Sequence, residues 1–186
     1  IHQQPAMWRK ELAALLQSKA VISAFMHRYL TPETDIVLTG AGTSAFIGDA
    51  ICPVMRGMWH NVRSVPTTDL ITHAEYLLDA DRPLLLISFA RSGNSPESVG
   101  AVNIANKLCK NVAHVYITCN KNGKLAQNLT PALSQGEGEG ARVDGNKLLL
   151  QLPEETDDKS LAMTSSFSTM LMTCLMLGHI RSEEHT

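Results

Sequence analysis

Leu84-Leu85-Leu86-Ile87-Ser88-Phe89-Ala90-Arg91-Ser92-Gly93-Asn94-Ser95-Pro96-Glu97-Ser98 runs from an unbroken apolar stretch, through a hydroxyl-rich turn, into a helix start. An apolar run without polar alternation is what a strand covered on both faces requires. Pro96 suits the first turn of a helix, where its missing N–H would have had no partner. A second strand–turn–helix passage lies upstream: Asp35-Ile36-Val37-Leu38-Thr39, then Gly40-Ala41-Gly42-Thr43-Ser44, then a helical pattern over 44–58 in which Pro53 predicts a kink or an early end. Further strands are predicted at 62–65, 112–118 and 148–152. Helices are predicted at 96–109, 123–129 and 160–177, and one or two more before Pro32. Strands alternating with helices predict an α/β domain, a doubly wound five-stranded parallel sheet with helices on both faces.

Composition narrows the function classes. The 186 residues carry 16 Lys+Arg against 18 Asp+Glu, a formal net charge of −2, so a strongly basic face and a nucleic-acid partner are not expected. Hydrophobic residues make up 44%, enough for a sizeable core, and no apolar run is long enough to span a bilayer, so no membrane partner is expected. The four cysteines (Cys52, Cys109, Cys119, Cys174) stand singly, which predicts reduced thiols and a cytoplasmic location. No histidine pair has metal-ligand spacing, so neither a metal site nor a cofactor is predicted.

Two segments break the pattern. Residues 134–145 (SQGEGEGARVDG) are rich in Gly and Glu and predict a mobile surface insert, since such a composition buries too little surface to offset its ordering entropy. Residues 181–186 depart abruptly from an apolar helix and read as a foreign tail. With Ile1 in place of Met, this predicts a fragment of a longer protein. The expected organisation is an N-terminal helical segment (1–32) followed by one domain (33–180).

The chemistry is concentrated in the two turns. Gly42 and Gly93 permit positive φ and close backbone approach, the helices that follow present unpaired N–H groups, and Thr43, Ser44, Ser92 and Ser95 add hydroxyls. Arg91 adds a cation. In a sheet ordered 2-1-3-4-5 both turns reach one crevice at the switch point and predict a shared anion site. The first turn also fits the dinucleotide pattern GxGxxA, but no acidic residue ends the second strand to hold a ribose, which disfavours a dehydrogenase.

TGAGTSAFIGD, VPTTDL, LLLISFARSGNSPES and AMTSSF resemble the sugar isomerase (SIS) domain family. Within it they resemble the AgaS group of tagatose-6-phosphate ketose/aldose isomerases and galactosamine-6-phosphate deaminases. The resemblance covers about residues 1–177 outside the Gly/Glu insert, and implies a flavodoxin-like SIS fold. It implies phosphate binding by Ser44, Arg91, Ser92 and Ser95, with Thr43 beside them and Thr164 reaching the sugar. Ala90 stands where many relatives have serine, and Arg91 is expected to compensate by charge. The implied reaction converts galactosamine 6-phosphate to tagatose 6-phosphate plus ammonia, in a homo-oligomer with two SIS domains per subunit. Only the first of those domains is expected here, so this chain alone is expected to be inactive. No catalytic residue is assigned: Asp69, Glu75 and Glu97 are candidate carboxylates that read better as caps or solvated positions. The alternative is a non-catalytic phosphosugar-sensing domain of a regulator.

Overall fold

The computed structural model describes residues 1–127, 129, 140–159 and 163–182. Helices α1 (Gln4–Gln17) and α2 (Lys19–Tyr29) precede strand β1 (Asp35–Gly40). There follow α3 (Ala45–Met58), β2 (Val62–Ser64), α4 (Thr67–Leu77), β3 (Leu84–Ala90), α5 (Pro96–Leu108), β4 (Val112–Thr118) and the single turn α6 (Lys124–Gln127). The hairpin β5 (Ala141–Asp144) and β6 (Lys147–Gln151) comes next, and α7 (Thr164–Ser182) ends the described chain.

The sheet order is β2-β1-β3-β4-β6-β5, with every pairing parallel except β5 against β6. The expected parallel order is therefore present, with β6 in the fifth position, but the strands number six. Residues 141–144, assigned from sequence to the mobile insert, form the antiparallel edge strand, paired Ala141 to Leu150 through Asp144 to Lys147. Gly145 makes the two-residue turn possible at φ +58°, a conformation glycine adopts without steric cost. The Gly/Glu-rich residues 134–139 lie outside the described residues.

All seven residues of β3 are buried, as its apolar run requires of a central strand. Alternate side chains enter two cores. Leu85, Ile87 and Phe89 join α1, α2, α3 and α7 through residues such as Leu15, Ile22, Met55 and Leu177. Leu84 and Leu86 join α4 and α5 through Leu70, Val102 and Ala105. The N-terminal helices thus share the domain's first core and pack on α7.

Two helix expectations need correction. α3 continues through Pro53 to Met58. Pro53 and Asp49, whose carbonyl loses its partner, both lie on the exposed side, where water can satisfy that carbonyl. The last helix begins at Thr164, four residues after the expected start, and its helical backbone includes Arg181 and Ser182; residues 183–186 lie outside the described residues. No helix among the described residues is long and apolar enough to cross a membrane.

Candidate anion and sugar site

β1 stops at Gly40 because the chain folds straight back: a Cβ there would lie 2.6 Å from the carbonyl carbon of Ser44. Gly42 takes φ +56° and opens a single 3-10 turn over Gly42–Ser44 that leads into α3. Ser44 occupies the N-cap position, yet its side chain makes no capping hydrogen bond. The Ser44 hydroxyl is therefore not used as a cap and remains available.

In the β3–α5 turn Gly93 sits at φ +63°. The backbone amides of Ser92, Gly93 and Ser95 donate to no acceptor among the described residues. Successive amides around a left-handed residue form the concavity that binds anions. Ser95 behaves differently from Ser44: its hydroxyl accepts from the Ser98 amide at 3.1 Å and pairs with the Ser98 hydroxyl at 2.7 Å. It caps α5, so its contribution to a ligand is its amide. Arg91 pairs with Asp157 through one nitrogen, Nη1 to Oδ1 at 2.8 Å.

The start of α7 completes the site. Asp158 Oδ2 accepts from the Ser166 amide at 2.9 Å and the Ser166 hydroxyl at 3.3 Å, fixing the first turn. The first turn of α1 docks alongside. Gln3 Nε2 donates to Ser165 Oγ at 2.9 Å, and Gln4 Oε1 accepts from Ser168 Oγ at 2.8 Å.

The starts of α3, α5 and α7, with Gln4 of α1, border one cleft of about 780 Å³. Thr43, Ser44, Arg91, Ser92, Gly93, Ser95 and Thr164 all line it; Gly42 does not, and acts through the turn. Ser44 and Ser92 thus share an opening. Asp69, Glu75 and Glu97 do not line it and are exposed on α4 and α5, the solvated roles the sequence favoured.

Sequence reasoning missed Gln4, Phe46, Phe89, Phe167 and Ser168 as wall residues; they arrive through tertiary packing. Met163 joins them, 37% exposed at the cleft. Among the described lining residues Arg91 alone is charged. One cation, itself paired with Asp157, and the N-terminal ends of α3 and α5 face this cleft, the first turn of α7 being capped by Asp158, with apolar side chains on the remaining wall.

The SIS domain family profile matches residues 29–180. This chain belongs to the SIS domain family. The D-galactosamine-6-phosphate deaminase AgaS of Escherichia coli is 44% identical over 177 residues, covering 94% of this chain and 43% of that protein. The protein of the same name from Shewanella sp. (strain ANA-3) is 38% identical over 181 residues, covering 95% and 44%. The tagatose-6-phosphate ketose/aldose isomerase structure from Escherichia coli superposes with TM-score 0.83 at 41% identity, over 94% of this chain and 45% of that one. A phosphoheptose isomerase from Francisella tularensis shares the SIS fold at 16% identity and TM-score 0.64. The chain spans less than half the length of the curated relatives it matches. Relative to a five-stranded SIS sheet read from sequence, this domain adds the antiparallel edge strand β5.

Proposed function

We propose that this chain is the phosphosugar-binding SIS domain of an amino-sugar-phosphate deaminase/isomerase that takes galactosamine 6-phosphate to tagatose 6-phosphate plus ammonia. The observation that carries the reading is the convergence on one cleft of Arg91, the amides of Ser92, Gly93 and Ser95 and the starts of α3, α5 and α7. A phosphate monoester dianion suits those donors. Each charge-assisted hydrogen bond to it contributes roughly 1.5–3 kcal/mol, so four or five such bonds support micromolar binding after ordering costs. The apolar wall of Phe46, Met163 and Phe167 suits the C–H face of a hexose.

The reaction moves a proton from C2 to C1 and turns the amine-bearing carbon into a ketimine; water adds there and ammonia leaves. That sequence needs a general base. The described lining residues include no carboxylate and no imidazole, so in this reading the base comes from the part of a longer protein that the relatives possess, or from a neighbouring subunit. The same feature favours a second reading, a phosphosugar sensor without turnover.

We place the protein in the cytoplasm, in keeping with four free, buried cysteines, acting in amino-sugar catabolism. We also infer a homo-oligomer. Val54 (50% exposed) leaves an apolar side chain on the outside of α3, away from the cleft, that a second copy would cover. A monomeric mass by light scattering overturns the oligomer.

Calorimetric titration tests the binding reading. Galactosamine 6-phosphate should bind the chain, NAD should not, and Ser44→Ala and Ser92→Ala should each weaken binding roughly tenfold. Affinity unchanged from that of the unmodified chain in both variants would remove the assignment. Ammonia release by the relatives' full-length counterpart of this chain, set against none, separates enzyme from sensor.

A further inference from the structure

The β3–α5 turn is held from behind by a segment that is absent from the cleft lining. Thr118 Oγ1 donates to the carbonyl of Arg91 at 3.3 Å and Asn120 Nδ2 to the carbonyl of Ser92 at 2.9 Å. The Leu125 amide donates to the carbonyl of Gly93 at 3.1 Å, and the Lys124 amide to Asn94 Oδ1 at 3.0 Å. Four consecutive residues of the turn are each tied once to the last residue of β4 or to the segment that follows it. Gly123 packs so closely that a Cβ would lie 2.5 Å from the Ser92 carbonyl oxygen.

The bonds have one electrostatic effect. A carbonyl oxygen aimed at a dianion repels it, whereas an amide N–H attracts it. Drawing the carbonyls of residues 91–93 toward the β4–α6 connection leaves the Ser92 and Gly93 amides for the cleft. The Asn120 side chain is itself locked in orientation, because its Oδ1 accepts from the Asn122 amide at 3.0 Å and its Nδ2 must then face Ser92.

We infer that Asn120, backed by Gly123, is a positioning residue that sets the peptide orientation of the anion-binding turn and thereby the affinity for phosphosugar. The inference rests on the proposed phosphosugar reading and is tested so that the two can fail separately. Galactosamine 6-phosphate and inorganic phosphate are titrated into the intact chain and into Asn120→Ala, Asn120→Asp and Gly123→Ala, with the unliganded melting temperature measured for each.

Asn120→Ala should raise Kd roughly tenfold for both ligands, the loss expected of one oriented hydrogen bond and its consequences. The melting temperature should move by only a few degrees. Asn120→Asp should bind still less well at pH 7.5, where a carboxylate faces the Ser92 carbonyl. The ratio of its Kd to that of the unmodified chain should shrink toward pH 5, as a protonated carboxyl regains a donor; a merely structural role predicts a pH-independent ratio. Gly123→Ala, which pushes directly on the Ser92 carbonyl, should weaken binding without replacing any cleft residue. Unmodified chain that binds neither ligand overturns the phosphosugar reading itself. Binding by the unmodified chain with unchanged Kd in folded Asn120→Ala and Gly123→Ala overturns the positioning role alone.

Discussion

Arg91 and Asp157 are 34% and 48% exposed as side chains, and a pair that wet contributes about 0–1 kcal/mol. In the proposed phosphosugar reading a phosphate dianion offers the same guanidinium two charges and a bidentate geometry, so the dianion should win the contest for Arg91. Asp157 should then weaken binding slightly instead of blocking it. Asp157→Asn should tighten phosphosugar binding by up to about fivefold, read as Kd at low salt. His114 concerns stability. Its Nε2 meets Asn106 Oδ1 at 2.9 Å, while its buried Nδ1 has no hydrogen-bond partner among the described residues. Burial first, and Lys147 second, push its pKa down to about 4 from the ordinary 6.5. Below pH 6.5 the unfolded chain takes up a proton that the folded ring refuses until about pH 4, so acid favours unfolding across that window. Urea unfolding at pH 7 and pH 4.5 should show the unmodified chain losing about 2–3 kcal/mol more than His114→Gln.

Among the elements, α5 depends on one cap. Removing the Ser95 hydroxyl leaves the Ser98 amide without its acceptor, so Ser95→Ala should cost about 1 kcal/mol. In a chain of this size that is roughly 2–4 °C in melting temperature, measured by circular dichroism. Its effect on Kd should be smaller than that of Ser92→Ala, since the Ser95 amide remains. Among the parallel strands β1, β3, β4 and β6 were legible because apolar runs have few other uses, whereas β2, Val62-Arg63-Ser64, has no such run. α4 was not: it opens on β-branched Thr67 and Thr68, and its helical period breaks at His73, which has φ −138°. β5 was hidden because Ala141-Arg142-Val143-Asp144 adjoins a Gly/Glu-rich run, and its pairing is set by the partner strand β6 and not by its own pattern. The site divides along the same line. Ser44, Ser92 and Thr164 sit next to strand or helix ends and could be placed from chain order. Gln4 and Ser168 meet only because α1 packs on α7, a long-range contact that no local pattern announces.

At the scale of the whole molecule the four cysteines report on the integrity of both cores. Cys52 and Cys174 lie in the core under α3 and α7, Cys119 joins it at the end of β4, and Cys109 lies in the core under α4 and α5. All are buried, and burial lifts the Cys119 thiol to about 12 and raises Cys174 and Cys109 as well. Neutral thiols without access do not react. In native buffer a disulfide reagent should label none of the four quickly, and labelling should follow the loss of secondary structure as urea rises. One thiol reacting well ahead of the rest would reveal local opening.

The two borders of the sheet also differ from its middle. β2 is only three residues long, and β5 is four residues long, runs antiparallel and carries Arg142 and Asp144. Brief, charged margins of this kind give an incoming chain little backbone to extend. Any assembly of these molecules is thus steered away from continuous intermolecular β-structure and toward side-chain contacts between helices, which keeps a concentrated solution from seeding fibres.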